Sequence, residues 1–257
     1  MPEVLVRGRK LGYEARPKDF DPSARTVVFI HGSGGDREDW RAQLGGLSDV
    51  ATIVALELPG HGTSDPPGET AIDAYARWTC DFIDALGLRK VVLVGCSLGS
   101  AIAQWIALEG KPWLEALGIV GGGARLRVNA DFLNGLKTVP GKALELLADF
   151  ALRFEPDPAI YSALNEKFKK TSAELVLGDL SACDRFDVIS RIAEVRIPTW
   201  VIVGEEDKLT PPKYSQFLKD KIAGARLDVI PAAGHLVMIE QPAEFNRCLK
   251  EFLSQLV

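Results

Sequence analysis

The chain has 257 residues, 47% hydrophobic and 25% charged, enough to bury a full core as one globular domain with room for an insertion. That balance excludes the disordered and fibrous classes. A formal net charge of -5, with no block of Lys and Arg, argues against nucleic acid or an anionic membrane surface as the main partner and leaves a small molecule as the expected ligand.

The opening "MPEVLVRGRKLGYEARP" lacks the charged head and apolar core of an export signal, and no run approaches the roughly 20 apolar residues of a membrane span. A cytoplasmic location is therefore expected, with no membrane partner. Cys80, Cys96, Cys183 and Cys248 are scattered, with no CxxC and no histidine at ligand spacing. They read as four buried thiols in a reducing compartment, with no metal assigned.

In chain order, "VLVRGRKLGYEAR" reads as an antiparallel pair turning near Gly8. Strand-like apolar runs follow: "TVVFIHG", "TIVALELPG", "KVVLVG", "ALGIVGGG", "TWVIVGEED" and "RLDVIP". Continuous apolar runs alternating with helical patterns predict a mostly parallel sheet covered by helices on both faces. Between the second and third runs, Ile72, Tyr75, Thr79, Phe82 and Leu86 fall at helical spacing, Thr79 being the one polar member. The last predicted helix has Pro242 in its first turn and Phe245, Leu249, Phe252 and Leu256 on one face.

One interval breaks the alternation. About seventy residues separate "ALGIVGGG" from "TWVIVGEED", far more than an ordinary crossover needs. Within it, Phe132, Leu133 and Leu136, then Leu144, Leu147, Phe150, Ala151 and Phe154, carry helical patterns interrupted by Pro140, Pro156 and Pro158. Residues 129–185 are read as an inserted helical cap, and 1–128 with 186–257 as the core.

In an open parallel sheet, ligands bind beyond the carboxyl ends of the strands. Those ends carry His31-Gly32-Ser33-Gly34-Gly35, Pro59-Gly60-His61-Gly62, Ser97, Glu205-Glu206-Asp207 and His235, so all three histidines of the chain lie there. The pentapeptide "GCSLG" sits where a strand passes into a helix with almost no loop. Gly95 and Gly99 relieve the crowding of so sharp a turn and lift Ser97 above the sheet. An acid and then a histidine follow at later strand ends, in the order Ser, Asp, His.

With these motifs the chain resembles the α/β-hydrolase family over essentially its whole length, in the serine-nucleophile branch with a helical cap (carboxylesterase-like). The resemblance implies an eight-stranded, mostly parallel sheet. It makes Ser97 in "GCSLG" the nucleophile, Asp207 in "GEEDKLTPP" the orienting carboxylate and His235 in "AAGHLVMIEQP" the base. "HGSGG" corresponds to the family's oxyanion loop and "LPGHGTSD" to another loop near the site. The dehalogenase and epoxide hydrolase branches carry aspartate at the elbow, so Ser97 points away from both.

A serine hydroxyl attacks a carbonyl only when a histidine takes its proton, and the imidazole needs a carboxylate to fix its tautomer. The backbone N–H groups of Leu98 and Ser33 are the expected oxyanion donors, with Gly34 as the substitute for Ser33. Glu205 and Glu206 compete with Asp207; the family pattern favours Asp207. His31, Gly32, Gly34 and Trp40 are candidates for the substrate pocket, Trp40 being equally readable as core. His31 and His61 read as residues that bond loop backbone near the site. Cys96 is expected to point into the sheet, leaving the nucleophile's position to Ser97.

The expected activity is cleavage of a small or medium carboxylic ester through an acyl-enzyme, without a cofactor, by a monomer or small homo-oligomer. The same apparatus serves lactone opening, thioester hydrolysis, perhydrolysis and carbon–carbon cleavage. For the last, Arg125 and Arg127 could hold a carboxylated substrate. A small-molecule receptor with little turnover is the alternative of another class.

Overall fold

The computed structural model describes residues 2–256; residues 1 and 257, the outer ends assigned to the core, lie outside them. Eight strands form one sheet: β1 (Glu3–Val6), β2 (Arg9–Arg16), β3 (Arg25–Ile30), β4 (Thr52–Leu56), β5 (Lys90–Cys96), β6 (Leu114–Val120), β7 (Thr199–Gly204) and β8 (Arg226–Ile230). Their order across the sheet is β1-β2-β4-β3-β5-β6-β7-β8. The pairs β1/β2 and β2/β4 are antiparallel, and every other pair is parallel. The N-terminal pair turns at Arg7 and Gly8, as its pattern predicts.

Ten α-helices accompany the sheet among the described residues: α1 (Arg41–Gly46), α2 (Ile72–Ala85), α3 (Leu98–Glu109), α4 (Ala130–Thr138), α5 (Pro140–Ala151), α6 (Pro158–Lys170), α7 (Ala173–Arg185), α8 (Pro212–Lys221), α9 (Val237–Glu240) and α10 (Pro242–Ser254). Apolar residues of α2, α3 and α8 pack on one face of the sheet, and those of α1, α9 and α10 on the other. This is why the inner strands are apolar without alternation: both of their faces are buried. On α2, Ile72, Tyr75, Thr79 and Phe82 are buried, and the Thr79 hydroxyl is satisfied by donating to Tyr75 O at 3.0 Å. Proline opens α5, α6, α8 and α10, where its missing N–H costs nothing.

The four helices α4–α7 fill residues 130–185 and lie against the carboxyl edge of the sheet. Leu136, Leu144, Leu147 and Ala151 of the predicted stripes are buried. Phe150 and Phe154 are not: both are exposed, with the Lys208 ammonium 5.9 Å and 5.0 Å from their ring centroids. Phe154 falls beyond the end of α5, so the helical spacing no longer applies to it.

The topology also sets the place of the site. From β3 the chain moves outward to β4, then returns to β5 on the other side of β3, so the strand order reverses between β3 and β5. The crevice at such a reversal is where loops diverge and leave room for a ligand. Ile30 pairs with Gly95 in register, which brings the loops after β3 and β5 together at that crevice.

Candidate active site

Ser97 follows the last residue of β5 and precedes the first of α3, with φ 53° and ψ −113°. For a residue with a Cβ this conformation is strained by about 1–3 kcal/mol. It is held by four bonds: Ser97 N–H donates to Val120 O at 2.9 Å, while Ser97 O accepts from Ser100 N–H at 2.9 Å, from Ala101 N–H at 3.2 Å and from the Ser100 hydroxyl at 2.6 Å. A Cβ on Gly95 would lie 2.0 Å from Gly99 O, and one on Gly99 would lie 2.3 Å from Ile30 O. Strand, turn and helix therefore pass closer than any other residue permits. Leu98, as the first residue of α3, presents an N–H with no intrahelical acceptor.

The carboxyl end of β7 supplies Asp207, and the loop after β8 supplies His235. His235 Nδ1 lies 2.8 Å from Asp207 Oδ2, and both residues are buried. Asp207 is fully engaged: Oδ1 accepts from the N–H groups of Leu209 and Thr210 at 2.9 and 2.8 Å, and Oδ2 accepts from the Thr210 hydroxyl at 2.8 Å. Since the carboxylate can only accept, Nδ1 carries the hydrogen, and it is the Nε2 nitrogen of the neutral tautomer that can accept a proton. Of the competing acids, Glu206 accepts from Phe154 N–H at 3.0 Å, and Glu205 is exposed.

Ser97, His235, Gly32, Ser33, Gly34 and Thr210 line one cavity of about 640 Å³ beneath α4–α7. Its remaining wall is largely apolar, with Phe132, Leu147, Leu164 and Phe168 from the inserted helices. Arg127 reaches the cavity, but its Nη1 donates to Asp184 O at 2.8 Å. Arg125 lies outside the lining and faces Asp187 at 3.7 Å.

Two of the four pocket candidates are corrected. Trp40 is fully buried away from the cavity, stacked on Phe29 with centroids 4.4 Å apart, because its element turns into the layer that α10 covers. His31 is also fully buried behind the loop. Its Nε2 accepts from Leu58 N–H at 3.1 Å and its Nδ1 donates to Gly32 O at 2.8 Å, which fixes a neutral tautomer. Burial first, then the neighbouring His61, holds its pKa well below the ordinary value. Gly32 and Gly34 do line the cavity. Cys96 is fully buried in the sheet, and burial pushes its thiol well up, as an inert core residue.

Of the two oxyanion alternatives, Gly34 is engaged: its N–H donates to Asp179 Oδ2 at 2.9 Å. That leaves Ser33. Gly32 O accepts from both His31 Nδ1 and Gly35 N–H, the latter at 3.0 Å. In a trans peptide the N–H points opposite to the C=O, so Ser33 N–H is turned to the side away from His31.

Three residues of the site escape a sequence reading. Thr210 stands three residues after Asp207, a spacing suited to a side chain that bonds back onto the acid. Asp179 shares a helical stripe with buried Val176, Ala182 and Cys183, and an acid on a buried stripe is itself the signal. Lys167 of α6 reaches Asp36 at 2.9 Å and Asp39 at 2.6 Å beside the cavity, a pairing across 128 residues that no local pattern reveals.

A reversal-point crevice, an elbow serine and an acid-held histidine define an α/β-hydrolase. The sequence model of the alpha/beta hydrolase family matches residues 27–247, and the chain belongs to that family and is a hydrolase. Among solved structures it is similar to one described as a thermophilic esterase, at 36% identity and a TM-score of 0.88, covering 99% of this chain and 97% of that one. It is 25% identical over 241 residues to 3-oxoadipate enol-lactonase 1 of Acinetobacter baylyi, covering 91% of this chain and 90% of the relative. It is 29% identical over 243 residues to the dihydrolipoyllysine-residue acetyltransferase component of the acetoin cleaving system of Cupriavidus necator. That match takes in 90% of this chain but spans only 64% of the relative's length.

Proposed function

We propose that the protein is a serine esterase that cleaves a small or medium carboxylic ester through an acyl-enzyme. The observation that carries this reading is that Ser97 and His235 share one cavity wall while Asp207 holds the far nitrogen of the imidazole. His235 Nε2 takes the proton of Ser97 as Oγ attacks the carbonyl carbon. The negative oxygen of the tetrahedral intermediate is met by the N–H groups of Leu98 and Ser33. Collapse breaks the ester bond, and the leaving alcohol takes the proton from His235. Water then enters and gives a proton to His235 as it attacks the acyl carbon, and His235 passes that proton to Ser97 Oγ as the bond to the acyl group breaks and the acid leaves.

The apolar wall suits an acyl chain, and a cavity of about 640 Å³ lies in the range that small ligands fill. A lactone, being an ester closed on itself, is the second reading, favoured by the likeness to the enol-lactonase.

The test is steady-state hydrolysis of p-nitrophenyl acetate, butyrate and octanoate by wild type and Ser97→Ala. Multiple turnovers lost in folded Ser97→Ala support the serine mechanism, and the preferred chain length measures the cavity. Wild-type rates in Ser97→Ala would refute it. A γ-lactone of matched acyl length, run alongside, separates the two readings by their kcat/KM.

A further inference from the structure

Asp179 belongs to α7, within the inserted helices, yet it is fully buried and bonds three separate parts of the core. Oδ2 accepts from Gly34 N–H, in the loop after β3, and lies 2.9 Å from His61 Nε2, in the loop after β4. Oδ1 accepts from the Tyr75 hydroxyl of α2 at 2.6 Å. A buried carboxylate is tolerated only when its lone pairs are met in this way. The inserted helices also press on the same loop: a Cβ on Gly34 would lie 2.9 Å from Val176 Cγ2 of α7 and 3.1 Å from Phe168 Cε1 of α6. Gly34, with φ 66°, is thus the residue that lets the loop come this close.

Ser33 lies between two peptide groups that are each held from a different side. His31 fixes the Gly32–Ser33 peptide through Gly32 O, and Asp179 fixes the Ser33–Gly34 peptide through Gly34 N–H. We infer that Asp179 is a positioning residue for the oxyanion site, so that the inserted helices complete that site as well as roofing the cavity. The inference rests on the serine esterase reading. A donor stabilises the transition state in proportion to how firmly it is fixed before the reaction. Removing Asp179 frees the glycine at 34 to rotate and strips the acceptor from three buried donors at once. The loss then falls on the chemical step, because the apolar wall that binds the acyl chain is left in place.

The experiment measures kcat and KM for p-nitrophenyl butyrate in wild type, Ser97→Ala, Asp179→Ala and Asp179→Asn, with the melting temperature of each. Asp179→Ala is expected to lower kcat about 10²-fold, the cost of misplacing a catalytic group by about 1 Å, with KM unchanged within about threefold. Asp179→Asn, whose amide oxygen can still accept from Gly34, is expected to recover about tenfold of that loss. A purely structural Asp179 would lower the melting temperature while folded variants kept wild-type kcat, and that result overturns the inference while the inactivity of Ser97→Ala leaves the esterase reading standing. If Asp179→Ala does not fold, wild-type kcat in Asp179→Asn overturns it in the same way. Turnover surviving in Ser97→Ala would instead remove the serine reading, and the inference with it.

Discussion

His61 and Asp179 meet at 2.9 Å across the seam between the sheet and the inserted helices, both of them buried. The other ring nitrogen of His61 lies 3.0 Å from Pro59 O. A carbonyl and a carboxylate can only accept, so both nitrogens donate and His61 is an imidazolium. Burial pulls its pKa down, but the charge and hydrogen bond of Asp179 outweigh it and the net direction is upward. The native state therefore binds more protons than the unfolded chain above pH 6.5, the ordinary value for histidine. Stability from this pair is present in full below that pH and is lost as pH rises through the raised folded value. Thermal melts of wild type and His61→Gln from pH 5.5 to 9 should show the wild-type advantage largest at the acid end. A constant difference across the range would mean that His61 is neutral in the fold. The comparison with His61→Gln is needed because the buried neutral His31, 4.7 Å away, gives the opposite slope.

Gly95 and Gly141 should respond in opposite senses to alanine. At Gly95 the new methyl carbon would meet Gly99 O at 2.0 Å and Ser100 N at 2.6 Å, all backbone that cannot rotate away. Gly95→Ala is expected to cost about 3 kcal/mol or more, read as a fall in the denaturant midpoint or in soluble yield. Gly141, in the first turn of α5, has nothing within 4 Å of its would-be Cβ. There alanine is expected to add about 0.5 kcal/mol through helix propensity and a less flexible unfolded chain.

Thr210 is expected to matter through Asp207. Its hydroxyl donates to the oxygen that also faces His235, and lies 3.1 Å from His235 Nδ1. Thr210→Val keeps the shape and removes one hydrogen bond to a charged group, worth about 1.5 kcal/mol. About a tenfold loss in kcat/KM on p-nitrophenyl butyrate should follow. Wild-type kcat/KM in the variant would show that the Leu209 and Thr210 backbone bonds suffice to hold the acid.

Lys167 ties α6 to Asp36 and Asp39, in the chain that follows β3. Burial works against its charge, but Asp39 and Asp36 together drive its pKa upward. Burial likewise raises the carboxyl of Asp39, although Lys167 opposes this. Lys167→Met leaves two carboxylates facing each other with their main cation gone, an expected loss of about 2 kcal/mol given the partial exposure of the group. Because protonating Asp39 relieves the strain, chemical denaturation should show a smaller deficit at pH 5 than at pH 8. An equal deficit at both would show that Asp39 is not the group left stranded.

The strands were legible because continuous runs such as "KVVLVG" and "TWVIVG" have few other ways to be buried, and the elbow was legible because its glycines are demanded by backbone contacts a few residues away. The exposed Phe150 and Phe154 were not: a helical stripe tells which residues share a face, and only packing tells which face meets the core. Trp40 was ambiguous for the same reason. Its size suits a pocket or a core equally, and its stacking partner Phe29 decided between them. Asp207 was separable from Glu205 and Glu206 only by family pattern, since three adjacent acids look alike until one of them meets an imidazole.

What the sequence determined by itself is therefore what depends on neighbours in the chain: the elements, the sharp turn at Ser97, and the order of serine, acid and histidine. The tertiary structure alone decided what depends on residues far apart. It engaged Gly34 N–H with Asp179 across 145 residues while keeping Ser33 on the cavity wall, and it moved His31 and Trp40 off that wall. Hydrogen bonds and packing act over a few ångströms of space whatever the separation along the chain, so the partner of Gly34 N–H became visible only once α7 had been laid against the loop.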